Sequence, residues 1–364
     1  MKLYNSRIFI MVFGSYLLFG IFALINSLLM GNFEIKLMRI TGIFILFLVM
    51  LSLIWGNIIR NKGYEGGLKY ILRPYVYLSL YISITGIIAW ILLTFDIIQL
   101  ENCLYDMNMI TEVSTPNKYL FAFPFKLNFA EICIGSKLLS YQLFRMSGLS
   151  MEPHQAGLFI APSLFIIHYL YNTYSLVKLL SSFIIGLFLL LTFSPTVVVI
   201  LFICAILYGI MRRNHLIILL LIIGVSILLI IFPIVMTHSS LIPFTQTREG
   251  SYQQWLNSIN EIKNISLFGF FGDGKLEPVF SPVTVGEGFG LGGLILLYIH
   301  FIIVVSICLY YLFKRYAIIG LCPIYIILHF HKGVQIDSPF YIYILFTTVV
   351  YYVLSFLRYD NNKQ

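Results

Sequence analysis

Residues 176–213 read LVKLLSSFIIGLFLLLTFSPTVVVILFICAILYGIMRR, and no side chain between Lys178 and Arg212 carries a charge. A helix needs about 20 mainly apolar residues to cross roughly 30 Å of hydrocarbon. The run is long enough for two crossings, with Leu191-Thr192-Phe193-Ser194 as the turn between them. Charge is confined to its ends.

The same pattern extends along nearly the whole chain. Apolar runs of this kind fall at about 8–30, 40–59, 75–97, 155–171, 178–194, 195–211, 214–236, 287–312, 316–330 and 339–357. Of 364 residues, 60% are hydrophobic and 10% charged. Soluble domains average about 25% charged residues, so the bilayer is the solvent this chain is built for. The first run is 23 residues long and has no A-x-A pattern before Gly31, which reads as a span and not a cleaved leader. The expected fold is all-α: a polytopic transmembrane helical bundle of about ten spans, or eleven, forming a single integral membrane domain. Span 316–330 is short and contains Pro323, so a re-entrant segment paired with 339–357 is the alternative there.

Orientation follows from Lys and Arg, which collect on the cytoplasmic side. With both termini inside, the inner segments hold Lys2, Arg7, Arg60, Lys62, Lys69, Arg73, Lys178, Arg212, Arg213, Lys314, Arg315, Arg358 and Lys363. Only Glu65 and Asp360 oppose them there, and the other side is net acidic. The net charge of +8 is therefore a matter of topology. A nucleic-acid surface would need a basic, aromatic-studded soluble module, and the chain has none. Cys103, Cys133, Cys204, Cys308 and Cys322 show no C-x-x-C pairing, and Cys103 and Cys133 read as two unpaired thiols, with a disulfide between them as the alternative.

Two outer segments, about 98–154 and 237–286, are too long for simple turns. In the first, Leu127 to Leu143 carries Lys137 and Glu131 and reads as lying at the interface. In the second, Ser251 and Gln254 form a capping box ahead of Trp255, Ile259 and Ile262, which marks an amphipathic helix. Gly269, Gly272 and Gly274 then mark an irregular loop where backbone can approach a ligand. No strand–glycine–helix unit surrounds them, which excludes a dinucleotide fingerprint. Gly286 to Gly293 opens the next span with small residues that permit close packing.

Chemistry-bearing residues cluster in these segments. Arg145, Glu152 and His154 bring a cation, an acid and a base to the start of the fourth span, with Pro153 suited to the first turn of a helix. Arg248-Glu249 precedes the capped helix, where guanidinium and helix amides together could hold a phosphate; a solvated ion pair is the alternative. Asp273 and Glu287 are carboxylates that could line one cavity. His168, His300 and His329 stand singly in apolar spans and read as packed core histidines. No Asp, Glu, Lys or Arg falls in the middle of any span, which argues against an ion-coupled pump or antiporter.

In combination these features resemble the O-antigen polymerase (Wzy) family and its relative, the O-antigen ligase. The likeness rests on Arg145 to Gly157 with its Glu152-Pro153, the Leu191-Thr192-Phe193-Ser194 turn, Arg212-Arg213, and the outer loop Arg248…Trp255…Gly269 leading into the glycine-rich span. It covers about residues 140–312. Ligases typically carry a His near the end of that loop, and Glu277 to Glu287 contains none, which favours polymerase.

The resemblance implies transfer of a growing glycan from undecaprenyl pyrophosphate to a lipid-linked repeat unit, at the periplasmic face of the bacterial inner membrane. No cofactor is expected, and no residue is assigned to a metal. The expected partners are the lipid-linked oligosaccharide, membrane lipids and a chain-length regulator protein. Arg145 and Arg248 are the expected catalytic cations, and Glu152 the expected base. His154, Glu249, Tyr252, Trp255, Asp273 and Glu287 are the expected substrate-binding residues, with Tyr252 and Trp255 stacking on sugars. Ligase and lipid-linked oligosaccharide flippase are the competing readings; a flippase should line an intramembrane route with charge.

Overall fold

The structure, a computed structural model, describes residues 7–32, 35–95, 97, 101–102, 117–122, 125–136, 139–148, 153–171, 175–212, 269–275, 281–315, 318–332 and 339–361. In chain order its elements are α1 (Arg7–Leu29), α2 (Ile35–Thr94), β1 (Glu101–Asn102), β2 (Asn117–Ala122), β3 (Phe125–Ser136), β4 (Leu139–Gly148), α3 (Pro153–Ile160), α4 (Pro162–Leu170), α5 (Leu176–Leu191), α6 (Pro195–Met211), α7 (Pro282–Arg315), α8 (Leu321–Leu328) and α9 (Pro339–Asn361). They form two compact units, Met1–Leu72 with Gln254–Gln364, and Arg73–Gln253.

Among the described residues three helices are long and apolar enough to cross a membrane: Arg7–Leu29, Glu65–Thr94 and Thr284–Lys314. The expectation of about ten spans is met only in that coarser sense. The runs at 178–194 and 195–211 are helices as expected, but α5 has 16 residues and rises about 24 Å, short of the hydrocarbon thickness. The run at 155–171 divides into α3 and α4 at Pro162, which cannot donate the backbone bond a continuous helix needs. The run at 316–330 contributes α8, 8 residues between two short 3-10 turns. Gly63, at φ 69 and ψ 174, breaks α2 between Ile45–Ile58 and the long helix that follows. The run at 214–236 lies outside the described residues.

The larger departure from an all-α fold is in the segment between α2 and α3. It forms a four-stranded antiparallel sheet ordered β1-β2-β3-β4. The described residues of Leu127 to Leu143 are thus strand and not a spanning helix; β3 pairs with β4 from Ser136↔Leu139 to Asn128↔Gly148, with a register shift at Asn128/Phe129. Phe125, Leu127 and Phe129 alternate with Lys126 and Asn128, a period of two that suits a half-buried strand.

In the first unit, one face of α1 is a ladder of aromatic rings spaced three or four residues apart, the spacing that stacks side chains on one helix face. Phe13 meets Phe346 of α9, Tyr16 meets His300 of α7 and Phe19 meets Phe289, at centroid distances of 6.4, 5.5 and 5.9 Å. The opposite face leaves Leu18 60% exposed. Ile302 and, in the second unit, Phe183 are similarly open at 63% and 66%. Apolar surface on this scale is what lipid covers.

In the second unit the helices and β4 close on glycines. A Cβ on Gly86 would meet the ring of Phe188 at 2.9 Å, and one on Gly157 would collide with Val197 of α6. Tyr75 donates its hydroxyl proton to the carbonyl of Phe159.

Candidate functional site

Arg145 lies near the end of β4, half-buried. Its Nε donates to the carbonyl of Thr192 at 3.2 Å and its Nη2 to that of Phe193 at 3.3 Å. These are carbonyls at the C-terminus of α5, where the helix has run out of backbone donors and its dipole favours a cation. Phe193 holds φ 45, a left-handed conformation uncommon for a side chain larger than glycine, and the guanidinium braces that turn. The Thr192 hydroxyl adds a bond to Leu189 O at 2.7 Å. The two stretches noted separately in the sequence, Arg145 to Gly157 and Leu191 to Ser194, therefore meet through Arg145. Gly157 joins them by letting α3 approach the first turn of α6. His154, half-buried, stands one turn before Gly157 on α3, which begins at Pro153 as its position predicts. Ser147, fully buried two residues after Arg145, has a hydroxyl with no hydrogen-bond partner among the described residues.

The first unit carries a second constellation, built on glycine. Residues 269–275 cross α7 where Gly290, at φ 65 and ψ −168, interrupts the helix. The interruption frees backbone groups that the loop then pairs. Asp273 N donates to Glu287 O at 2.8 Å and Gly274 N to Gly288 O at 2.9 Å; Leu291 N and Gly292 N donate to Gly269 O and Phe270 O, both at 3.0 Å. Side chains at the end of α1 complete the junction. Asn26 Nδ2 donates to Gly288 O at 2.9 Å, Ser27 Oγ to Gly274 O at 2.6 Å and Asn32 Nδ2 to Asp273 O at 2.6 Å.

The contact is so close that a Cβ on Gly272 would strike the Glu287 carbonyl. Asp273 and Glu287, both exposed, are thus brought together, with Asp273 Oδ1 accepting from Lys275 N at 2.8 Å. Asn26 is fully buried and its Oδ1 has no hydrogen-bond partner among the described residues.

His300 is fully buried between α1 and α9. Ser15 Oγ spends its one proton on Val12 O at 2.9 Å, so it accepts from His300 Nδ1 at 2.9 Å, and His300 Nε2 shares a hydrogen bond with Tyr341 Oη at 2.8 Å. A fully bonded ring of this kind is a core histidine. His329 likewise contacts the carbonyl of Tyr325 one turn back, at 3.0 Å. Cys204, Cys308 and Cys322 are buried free thiols.

Glu152, Arg248, Glu249, Tyr252 and Trp255 lie outside the described residues, as does the capped helix. Arg145 and His154 belong to one unit and Asp273 and Glu287 to the other. Two features escaped sequence reasoning. Arg145's carbonyl partners are 47 and 48 residues away, and no local pattern reports them. The exposed rings of Phe270 and Phe271 did leave a signal, aromatics interleaved with glycines in Gly269-Phe270-Phe271-Gly272. Among the described residues no three His, Cys, Asp or Glu side chains gather to hold a metal. No protein-family model, curated protein or solved structure matches the chain.

Proposed function

We propose that the chain is an inner-membrane glycan polymerase of the O-antigen type, moving a growing glycan from undecaprenyl pyrophosphate to a hydroxyl of a lipid-linked repeat unit at the periplasmic face. The observation that carries this reading is where the carboxylates sit. Asp273 and Glu287 are joined through backbone at the end of α1, while His300, a polar group buried among the helices, has both ring nitrogens hydrogen-bonded. A transporter needs charge along its route; a surface transferase needs it at the mouth.

In the reaction, the acceptor hydroxyl gives its proton to a base, Glu152 first and His154 or Glu287 behind it. Its oxygen forms the new glycosidic bond as the bond from the anomeric carbon to pyrophosphate breaks, and undecaprenyl pyrophosphate leaves with the electron pair. The leaving group is already good, so catalysis rests on cations that hold its charge. Arg145, pinned by two carbonyls, is such a cation pre-positioned, and Arg248 is its partner. Asp273, Glu249, Tyr252 and Trp255 serve substrate binding, and a chain-length regulator is a protein partner.

The test is a gel of surface lipopolysaccharide from a deletion strain. Loss of the ladder with a single repeat retained is the expected result. Total loss of repeats would assign the chain to ligation or flipping.

A further inference from the structure

We propose that the open ring of Phe270, with Phe271 set beside it at a right angle, is an aromatic platform on which one pyranose ring of the glycan rests, with Asp273 and Glu287 accepting hydrogen bonds from its hydroxyls. The proposal rests on the glycan-polymerase reading and adds where a sugar is held.

The platform is rigid. Phe271 lies parallel to Phe22 of α1, centroids 5.8 Å apart and planes 5° from each other, and Phe270 stands at 90° to Phe22 and 88° to Phe271. Gly290 and Gly292 leave no space beneath the loop, since a Cβ on Gly290 would lie 2.6 Å from Phe270 O and one on Gly292 would run into the Phe22 ring. The rings cannot sink into the core. Phe270 is 58% and Phe271 38% exposed in consequence.

The surroundings select the occupant. Lipid chains would cover a purely apolar patch, but exposed Asp273 and Lys275 follow these rings in the same short loop, and the backbone bond from Asp273 to Glu287 ties exposed Glu287 to that loop. A sugar presents one face of weakly positive C–H groups, which suits the negative face of a phenyl ring, and an edge of hydroxyl donors, which suits carboxylates. Few other ligand classes offer both. A loop already locked in place loses little freedom on binding.

The experiment uses the full chain in nanodiscs and, as probe, the oligosaccharide repeat released by mild acid from the producing cell's surface glycan, free of diphosphate. Saturation-transfer NMR is expected to show contact to the C–H protons of one ring face. Affinity should fall about tenfold in a Phe270→Leu, Phe271→Leu variant and again in Asp273→Asn. Leucine keeps the apolar surface and removes the ring, so unchanged affinity in the double variant overturns the platform. A Phe270→Trp reporter, read as the difference from wild type, should respond to the sugar. Quenching by brominated lipid with no response to the sugar also overturns it and assigns the rings to the headgroup layer. The deletion-strain ladder is read separately, so the polymerase can survive loss of the platform.

Discussion

Arg145 shows how much one side chain is asked to do. Two of its N–H groups brace the carbonyls that end α5, and hydrogen bonds from a charged donor contribute about 1.5–3 kcal/mol each. Arg145→Ala should therefore remove long glycan chains and also lower thermal stability, by about 2 kcal/mol once solvent screening of a half-buried group is allowed for. Arg145→Lys keeps the charge but lacks the planar fork, so it should recover part of the stability and little of the ladder. A wild-type ladder in the alanine variant would remove Arg145 from the mechanism. His300 makes the opposite prediction. Tyr341→Phe leaves Nε2 without this hydrogen-bond partner and should cost about 1–3 kcal/mol in detergent unfolding while the ladder persists, because that network lies within the helix core. A lost ladder at full expression would mean that the network serves the reaction.

At the scale of elements, glycine decides which segments can cross. Gly272→Ala forces a methyl group into the backbone of Glu287 and Gly288, so the loop must lift from α7. Protease cleavage within 269–275 should rise sharply, and polymer length should fall. Gly186→Ala is the control, since nothing lies within 4 Å of its added methyl group and the helix α5 around it should gain up to about 1 kcal/mol. Equal protease resistance in both variants would refute the crossing. The β3–β4 hairpin teaches a related lesson. Its alternating pattern was present in the sequence, but Cys133, Ile134 and their apolar neighbours blur period two into a continuous run, and such a run reads equally as strand or buried helix.

For the whole molecule the governing question is sidedness. In a cysteine-free background, Lys275→Cys should react from the periplasm with a membrane-impermeant maleimide, and so should a cysteine placed in the Arg248 segment. Cysteines replacing Lys62 and Lys314 should react only after the membrane is opened. Labelling of Lys275→Cys from the cytosol would end the polymerase reading, because donor and acceptor are expected on the other face.

The sequence by itself determined that long apolar runs recur along the chain, where most of the described helices lie, and which carboxylates stand near one of them. Those properties are local: hydropathy and turn chemistry act over a few residues, and the bilayer sets a length that can be counted. Tertiary structure alone decided that Asn26 would hold Gly288, 262 residues away, that Ser27 would hold Gly274 across 247, and that Arg145 would close on the turn after α5. Each of these bonds pairs a backbone carbonyl with a distant side chain. Every residue carries the same carbonyl, so only the folded path of the chain selects which one is met.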